Sequence, residues 1–361
     1  MKEKIFSCVD RLEQIAVELE TELCRRPAIS PDSGGEGELD KCVFLEGWLK
    51  SHGITRLERY DAPDPRARGG VRPNLVATIP GPEASGDRGR LWIMSHIDVV
   101  PPGEASLWNT DPWTVTRVDD GPLGPRLVGR GVEDNQQGLT SSVLAALALA
   151  DQGVRPARTV KLLFAADEEN GSAYGIGWLV EKHRELFRND DMVLIPDSGD
   201  PEGGKIEIAE KNLVWARFVT RGAQTHGSRP DQGANAHLAG ADLAVRLHYG
   251  LSEKFGDHDP LFEPDYSTFH PTKKEANVPN INTIPGEDVF CMDMRILPRY
   301  PVKTVLAEVD RIKAEVEARH RVKIGYSLPQ SMESRATSPD APLVGFIAGA
   351  IKEVYGINPR P

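Results

Sequence analysis

The chain reads as an α/β protein whose first part is a mainly parallel sheet with helices on both faces, and two observations predict this. Short apolar runs over residues 75–79, 91–94, 158–166 and 191–195 alternate with stretches of helical periodicity, the pattern of strands joined by crossover helices. The last three of those runs each end in acidic or imidazole residues, as expected where the carboxyl edge of a parallel sheet collects ligands.

Taken in order, residues 2–24 carry Ile5, Val9, Leu12, Ala16, Leu19 and Leu23 at helical spacing, predicting one amphipathic helix that stops before Pro27. Residues 30–37 form a Ser/Gly/Asp loop, and 38–52 read as a second helix closed by Gly53. Residues 61–74 are rich in Pro, Gly and Arg and read as a surface loop. The run 91–94, bounded by Asp87, Arg88 and Arg90, is a buried strand that ends in Ser95-His96-Ile97-Asp98, and Pro101-Pro102 forbid its continuation. Alternate strand residues share a face. His96 and Asp98 therefore leave the sheet side by side, an imidazole beside a carboxylate, which is how metal-ligating histidines are usually held. A plain polar strand end is the competing reading. Residues 101–126 have little periodicity and read as a long ordered loop or small hairpin.

Gly129-Arg-Gly-Val-Glu-Asp134-Asn135 then turns into a helix over 139–150, where Asp134 also fits as an ordinary helix-capping carboxylate. The strand 158–166 runs into Asp167-Glu168-Glu169. Three adjacent carboxylates repel one another unless they are solvated or gathered on a cation. A helix over 172–187 and a strand over 191–195 follow, the strand ending in Pro196-Asp197-Ser198-Gly199.

Bulk properties narrow the function. At 361 residues there is room for two cores. A net charge of −11 argues against non-specific nucleic-acid binding. Cys8, Cys24, Cys42 and Cys291 show no C-x-x-C spacing, which points to reduced thiols, no cysteine zinc site and a cytoplasmic location. The N-terminus has no signal-type apolar core and no run reaches membrane-span length. There is neither a phosphate-binding P-loop nor the G-x-S-x-G elbow of a serine hydrolase. What remains is one histidine and five carboxylates (Asp98, Asp134, Glu168, Glu169, Asp197) at successive strand or turn ends. Hard oxygen donors with one imidazole suit zinc, manganese or cobalt. Two such ions about 3.5–4 Å apart would need a bridging carboxylate.

Ser95-His96-Ile-Asp98, Gly129-Arg-Gly-Val-Glu-Asp134-Asn135, Asp167-Glu168-Glu169-Asn-Gly-Ser and Pro196-Asp197-Ser-Gly also resemble, in order, the motifs of the co-catalytic zinc peptidase and amidohydrolase family. That family includes acetylornithine deacetylase, succinyl-diaminopimelate desuccinylase, aminoacylase, carboxypeptidase G and bacterial dipeptidases. The resemblance implies two divalent ions, zinc above all, with cobalt or manganese as alternatives. His96 and Asp197 would hold one ion and Glu169 the other, with Asp134 bridging. Asp98 would orient His96, Glu168 would be the general base for the hydrolytic water, and the Asp134–Asn135 peptide would be cis. It also implies a metal-binding domain of residues 1–204 and 329–361 and an inserted lid and dimerisation domain of 205–328. In that insert, strands over 205–220, a helix over 235–251, a strand over 287–297, a helix over 302–320 and a strand over 322–328 suit a ferredoxin-like α+β sandwich. His226, in Thr225-His226-Gly-Ser-Arg-Pro230, would reach a partner subunit's site and stabilise an oxyanion, whereas the residues by themselves favour a plain polar loop histidine. Asn282 and Arg295 would bind substrate, although an ion pair with Asp293 accounts for Arg295 equally well.

The resemblance carries a departure. In the family a glycine-rich stretch and a further metal-binding histidine normally follow a segment like Tyr355-Gly-Ile-Asn-Pro-Arg-Pro361, where this chain stops. The expectation is therefore a C-terminally truncated member whose second metal site lacks its usual histidine. The expected activity is hydrolysis of an amide or peptide bond in a small N-acyl amino acid or dipeptide, by a homodimer. The alternative is an impaired homologue that binds ligand or dimerises without turnover. Asp197 at the fourth motif leans towards the peptidase branch, and the 30–37 loop towards the deacetylase and desuccinylase branch.

Overall fold

A computed structural model of the protein describes residues 2–82, 89–121, 124–200 and 202–360; Asp87, Arg88 and Pro361 lie outside them. The chain divides into two compact units, residues 1–198 and 199–361.

In the first unit, α1 (Lys2–Asp10), α2 (Glu13–Cys24) and α3 (Leu39–Ser51) lead into β1 (Leu57–Pro63), β2 (Val71–Ile79) and β3 (Leu91–His96). A hairpin of β4 (Thr116–Gly121) and β5 (Gly124–Val128) precedes a distorted turn, Val132–Gln137, and α4 (Gly138–Asp151). Then come β6 (Val160–Ala165), α5 (Ile176–Lys182) and β7 (Met192–Leu194). The sheet order is β1-β2-β6-β3-β7. β3 is parallel to β6 and β7, and β2 is antiparallel to β1 and β6, so four of the five strands run one way.

Strand alternation splits the core between the two faces. Leu75, Ala77, Leu162 and Phe164 pack with α2, α3 and α4 on one side; Val76, Trp92, Leu163 and Ala165 pack with Leu179 of α5 on the other. Each such fully buried Leu or Phe stabilises the fold by about 1.5–3 kcal/mol. All four cysteines are free thiols.

Three sequence expectations change in this unit. The helix expected over 2–24 is broken at Arg11–Leu12, where Arg11 and Leu12 close tight turns onto the carbonyls of Cys8 and Val9. The loop expected over 61–74 contains the end of β1 and the start of β2, because Arg72 is buried among carboxylates rather than solvated. The helix expected over 172–187 is shortened to Ile176–Lys182, with a separate turn at Arg184–Leu186.

The second unit contains β8 (Asn212–Arg221), β9 (Thr225–His226), α6 (Ala236–Lys254), β10 (Thr268–Lys274), β11 (Thr283–Ile284), β12 (Glu287–Ile296), α7 (Val302–His320), β13 (Lys323–Met332) and α8 (Pro342–Tyr355). Its main sheet, β10-β12-β8-β13, is antiparallel throughout. With α6 and α7 between strands this is the ferredoxin-like β-α-β-β-α-β order. Phe218, Leu243, Leu247, Phe269, Phe290, Met292, Val309 and Val316 form its core. Pro342–Tyr355 packs through Val344, Ile347 and Ile351 on Ile206, Ile208 and Leu261. The strands expected over 205–220 reduce to β8 from Asn212; residues 205–208 instead share a small core with the C-terminal helix inside the second unit. Among the described residues, no helix is long and apolar enough to cross a membrane.

Candidate metal centre

The centre forms where three neighbouring parallel strands end. In the register His96 lies opposite Ala165, and Ile93 opposite Leu194. β3 thus delivers His96, β6 delivers Glu168 and Glu169 three and four residues past its last pair, and β7 delivers Asp197. Asp134 arrives from the turn before α4. The Asp134–Asn135 peptide is cis.

His96 is 3 % exposed. Its Nε2 lies 2.9 Å from Asp134 Oδ1, 3.8 Å from Asp197 Oδ2 and 3.9 Å from Glu168 Oε2. Its Nδ1 faces Asp98 twice, at 3.0 Å from the carbonyl oxygen and 3.5 Å from Oδ1. Burial disfavours an imidazolium here, but Asp98, Glu168 and Asp197 outweigh it and raise the His96 pKa to about 10. Burial also raises the Glu168 carboxyl, assisted by Asp98, Asp197 and Asp134. Burial, then the Asp134 charge, pushes Glu169 up to about 7. Carboxylates that disfavour one another's ionisation around a single imidazole are the environment a divalent cation neutralises.

The donor set fits such an ion. One donor atom each from His96, Asp134 and Asp197 lie within 4.8 Å of one another. One nitrogen and two carboxylate oxygens suit zinc or a neighbouring divalent metal. Glu169 shares the acidic field but is not among those three donors.

The carboxylate of Asp98 also serves the acidic loop. Its Oδ1 and Oδ2 accept the backbone N–H groups of Glu168 and Glu169, each at 3.1 Å. Asn135 was visible in its motif without an assigned task. Its Nδ2 donates to the Pro196 carbonyl at 2.9 Å and to Asp197 Oδ1, tying the Asp197 turn to the Asp134 turn. Arg72 and Asp167, which sequence reasoning left out of the site, lie behind the acidic loop and hydrogen-bond to each other at 3.0 Å. The only sequence signal for Arg72 was its place just before an apolar run.

The candidate residues beyond 198 belong to the second unit. His226 and Asn282 come together there: Thr283 pairs with His226 across β9 and β11, and Asn282 Nδ2 lies 3.3 Å from His226 Nε2. Arg295 forms a fork with Asp293 at 2.9 and 3.2 Å, and Asp293 also accepts Trp215 Nε1.

Comparison with known proteins gives consistent results. The profile of peptidase family M20/M25/M40 matches residues 92–361. The chain is 35% identical to an uncharacterized metallohydrolase of Methanocaldococcus jannaschii, over 96% of this chain and 85% of that one. It is 29% identical to a succinyl-diaminopimelate desuccinylase of Cereibacter sphaeroides, over 96% of this chain and 84% of the relative. Its fold is similar to that of the dipeptidase Dug1p of Saccharomyces cerevisiae, with a TM-score of 0.73, 17% identity and coverage of 99% of this chain and 85% of that one.

Proposed function

This chain belongs to peptidase family M20/M25/M40, metallohydrolases of peptide and amide bonds, and we propose that it hydrolyses the amide bond of small N-acyl amino acids or dipeptides. The observation that carries this is the convergence of His96, Asp134 and Asp197 beside Glu168 at the ends of three parallel strands. His96, Asp134 and Asp197 would hold one divalent ion, zinc by preference. Glu169 would hold a second with Asp134 shared between them. Such ions supply Lewis-acid polarisation of the amide carbonyl and acidify water.

The chain's own residues do the rest. Glu168, half exposed, takes a proton from the attacking water as the C–O bond forms. It returns that proton to the amine nitrogen as the C–N bond breaks. Asp98 holds the backbone of Glu168 and faces His96 Nδ1. In this reading His226 stabilises the oxyanion in a partner subunit's site, and Asn282 and Arg295 bind the substrate, its carboxylate matching the guanidinium fork. Residues 205–328 act as lid and dimerisation part and 1–204 as metal-binding part, and the enzyme works as a cytoplasmic homodimer.

The test is a panel of N-succinyl and N-acetyl amino acids and dipeptides, assayed with zinc- or cobalt-loaded protein. Glu168→Gln is expected to lower kcat by at least about 100-fold while retaining metal by elemental analysis. Turnover that survives in Glu168→Gln sinks the mechanism. Because Glu169 stands apart from the three-donor group, calorimetry should show one tight and one weaker ion. The same asymmetry favours a second reading, ligand binding without turnover, which metal uptake with no hydrolysis across the panel would support.

A further inference from the structure

Behind the two glutamates lies a buried ion cluster centred on Arg72. Arg72, at the start of β2, is 0% exposed. Its Nε donates to Glu38 Oε2 at 2.6 Å and its Nη2 donates to Glu38 Oε1. The same Nη2 donates to Asp167 Oδ1 at 3.0 Å, and Nη1 lies 3.7 Å from Asp64 Oδ2. One guanidinium thus faces three carboxylates that are themselves buried.

Asp167 is the residue just before Glu168 and Glu169, and it adopts a left-handed backbone, φ +61°, which a non-glycine residue holds only when its surroundings enforce it. Those surroundings can be named. Asp167 Oδ1 is held by Arg72 and Oδ2 by the Tyr174 N–H at 3.0 Å. Two residues along the strand from Arg72, Asn74 braces both ends of the same loop. Its Oδ1 accepts the Ala166 N–H at 3.0 Å and its Nδ2 donates to the Tyr174 carbonyl at 2.9 Å. The left-handed turn at Asp167 aims the next two N–H groups at Asp98. The two glutamates are therefore pinned from both sides, by Asp98 in front and by Arg72 through Asp167 behind.

We propose that Arg72 is a positioning residue for Glu168 and Glu169: its bidentate grip on Glu38, shared with Asp167, sets the turn that presents both glutamates at the metal centre. The inference rests on the metallohydrolase reading above. A lysine cannot reproduce the grip, because a single ammonium cannot fork across Glu38 and Asp167 together. Removing the Asp167 charge breaks the same link and leaves the carbonyl oxygen of an asparagine for Tyr174.

The experiment titrates metal-free wild type, Arg72→Lys and Asp167→Asn with Co(II). It follows the visible absorption spectrum and the calorimetric isotherm, with melting curves of the metal-free proteins alongside. Both variants are expected to lose about 10-fold or more in affinity for the weaker ion, with an altered Co(II) spectrum and a fall in kcat larger than any rise in KM. Variants that melt earlier yet keep wild-type Co(II) affinities, spectrum and kcat would show Arg72 to be structural only and overturn the proposal. Should Arg72→Lys fail to fold by circular dichroism, Asp167→Asn decides by the same readouts. Wild type that takes up no Co(II) and cleaves nothing removes the metallohydrolase reading itself; wild type that does both, with variants indistinguishable from it, removes only the role of Arg72.

Discussion

Glu20, on α2, is 4% exposed and shares its buried surroundings with Lys41 and Thr140. Burial pushes its carboxyl up to about 7, against the pull of Thr140 and the Lys41 charge. In the unfolded chain a glutamate titrates near 4.3. Between those values the folded state binds the extra proton, so stability falls as pH rises from about 4.3 to 7. The expected loss from Glu20 in wild type is on the order of 1–3 kcal/mol across that window, and Glu20→Gln should make the fall between pH 5 and pH 7.5 shallower by that amount in urea melts. Lys41 has the opposite sign. Burial lowers it to about 8, so from about 8 to 10.4 the unfolded state holds more protons and stability recovers with pH. Neither side chain looked unusual in sequence, because Glu20 and Lys41 occupy ordinary positions in charged helices. At the metal centre the reverse holds: His96, Asp134 and Asp197 stand in motifs, and the structure brings those three together. Asp98 was expected to serve His96. Its carboxylate also accepts the Glu168 and Glu169 amides, a contact across 70 residues that local pattern does not encode.

At the scale of elements, α4 starts at Gly138, and the first turn of that helix sits against the Pro196 carbonyl. A Cβ there would lie 2.2 Å from that oxygen and 3.2 Å from Asn135 Nδ2. Gly138→Ala must therefore displace the turn that carries Asp197. It is expected to weaken the tighter metal site by about 10-fold or more, read by calorimetry, although alanine is the better helix former by about 1 kcal/mol. Metal affinity equal to wild type would mean that the turn tolerates the shift. Most elements were legible from periodicity, including the runs that became β3, β6 and α7. The break between α1 and α2 was not, because no Pro or Gly marks it. The start of β2 was hidden for another reason: Arg72-Pro73-Asn74 is polar and looks solvent-facing, but partners distant in sequence (Glu38, Asp167, Ala166, Tyr174) satisfy it.

For the whole molecule, the candidate donors His96, Asp134 and Asp197 lie within residues 1–198, as do five of the six tryptophans. An ion that binds only the folded state adds about 2.7 kcal/mol at a concentration 100-fold above its Kd. Zinc should then raise the thermal transition followed by tryptophan fluorescence by about 5–10 °C, and excess chelator should reverse it. A transition unmoved by zinc would argue against a preformed site. From the sequence alone came the α/β class, the ferredoxin-like order of the second half and the residue types of the centre. Those depend on periodicities of two and 3.6 residues and on short contiguous motifs, which a chain displays before it folds. Only the tertiary structure decided which carboxylates meet at one point, and that a buried arginine stands behind them. Such contacts join residues tens of positions apart, where burial and charge, rather than local pattern, select the partners.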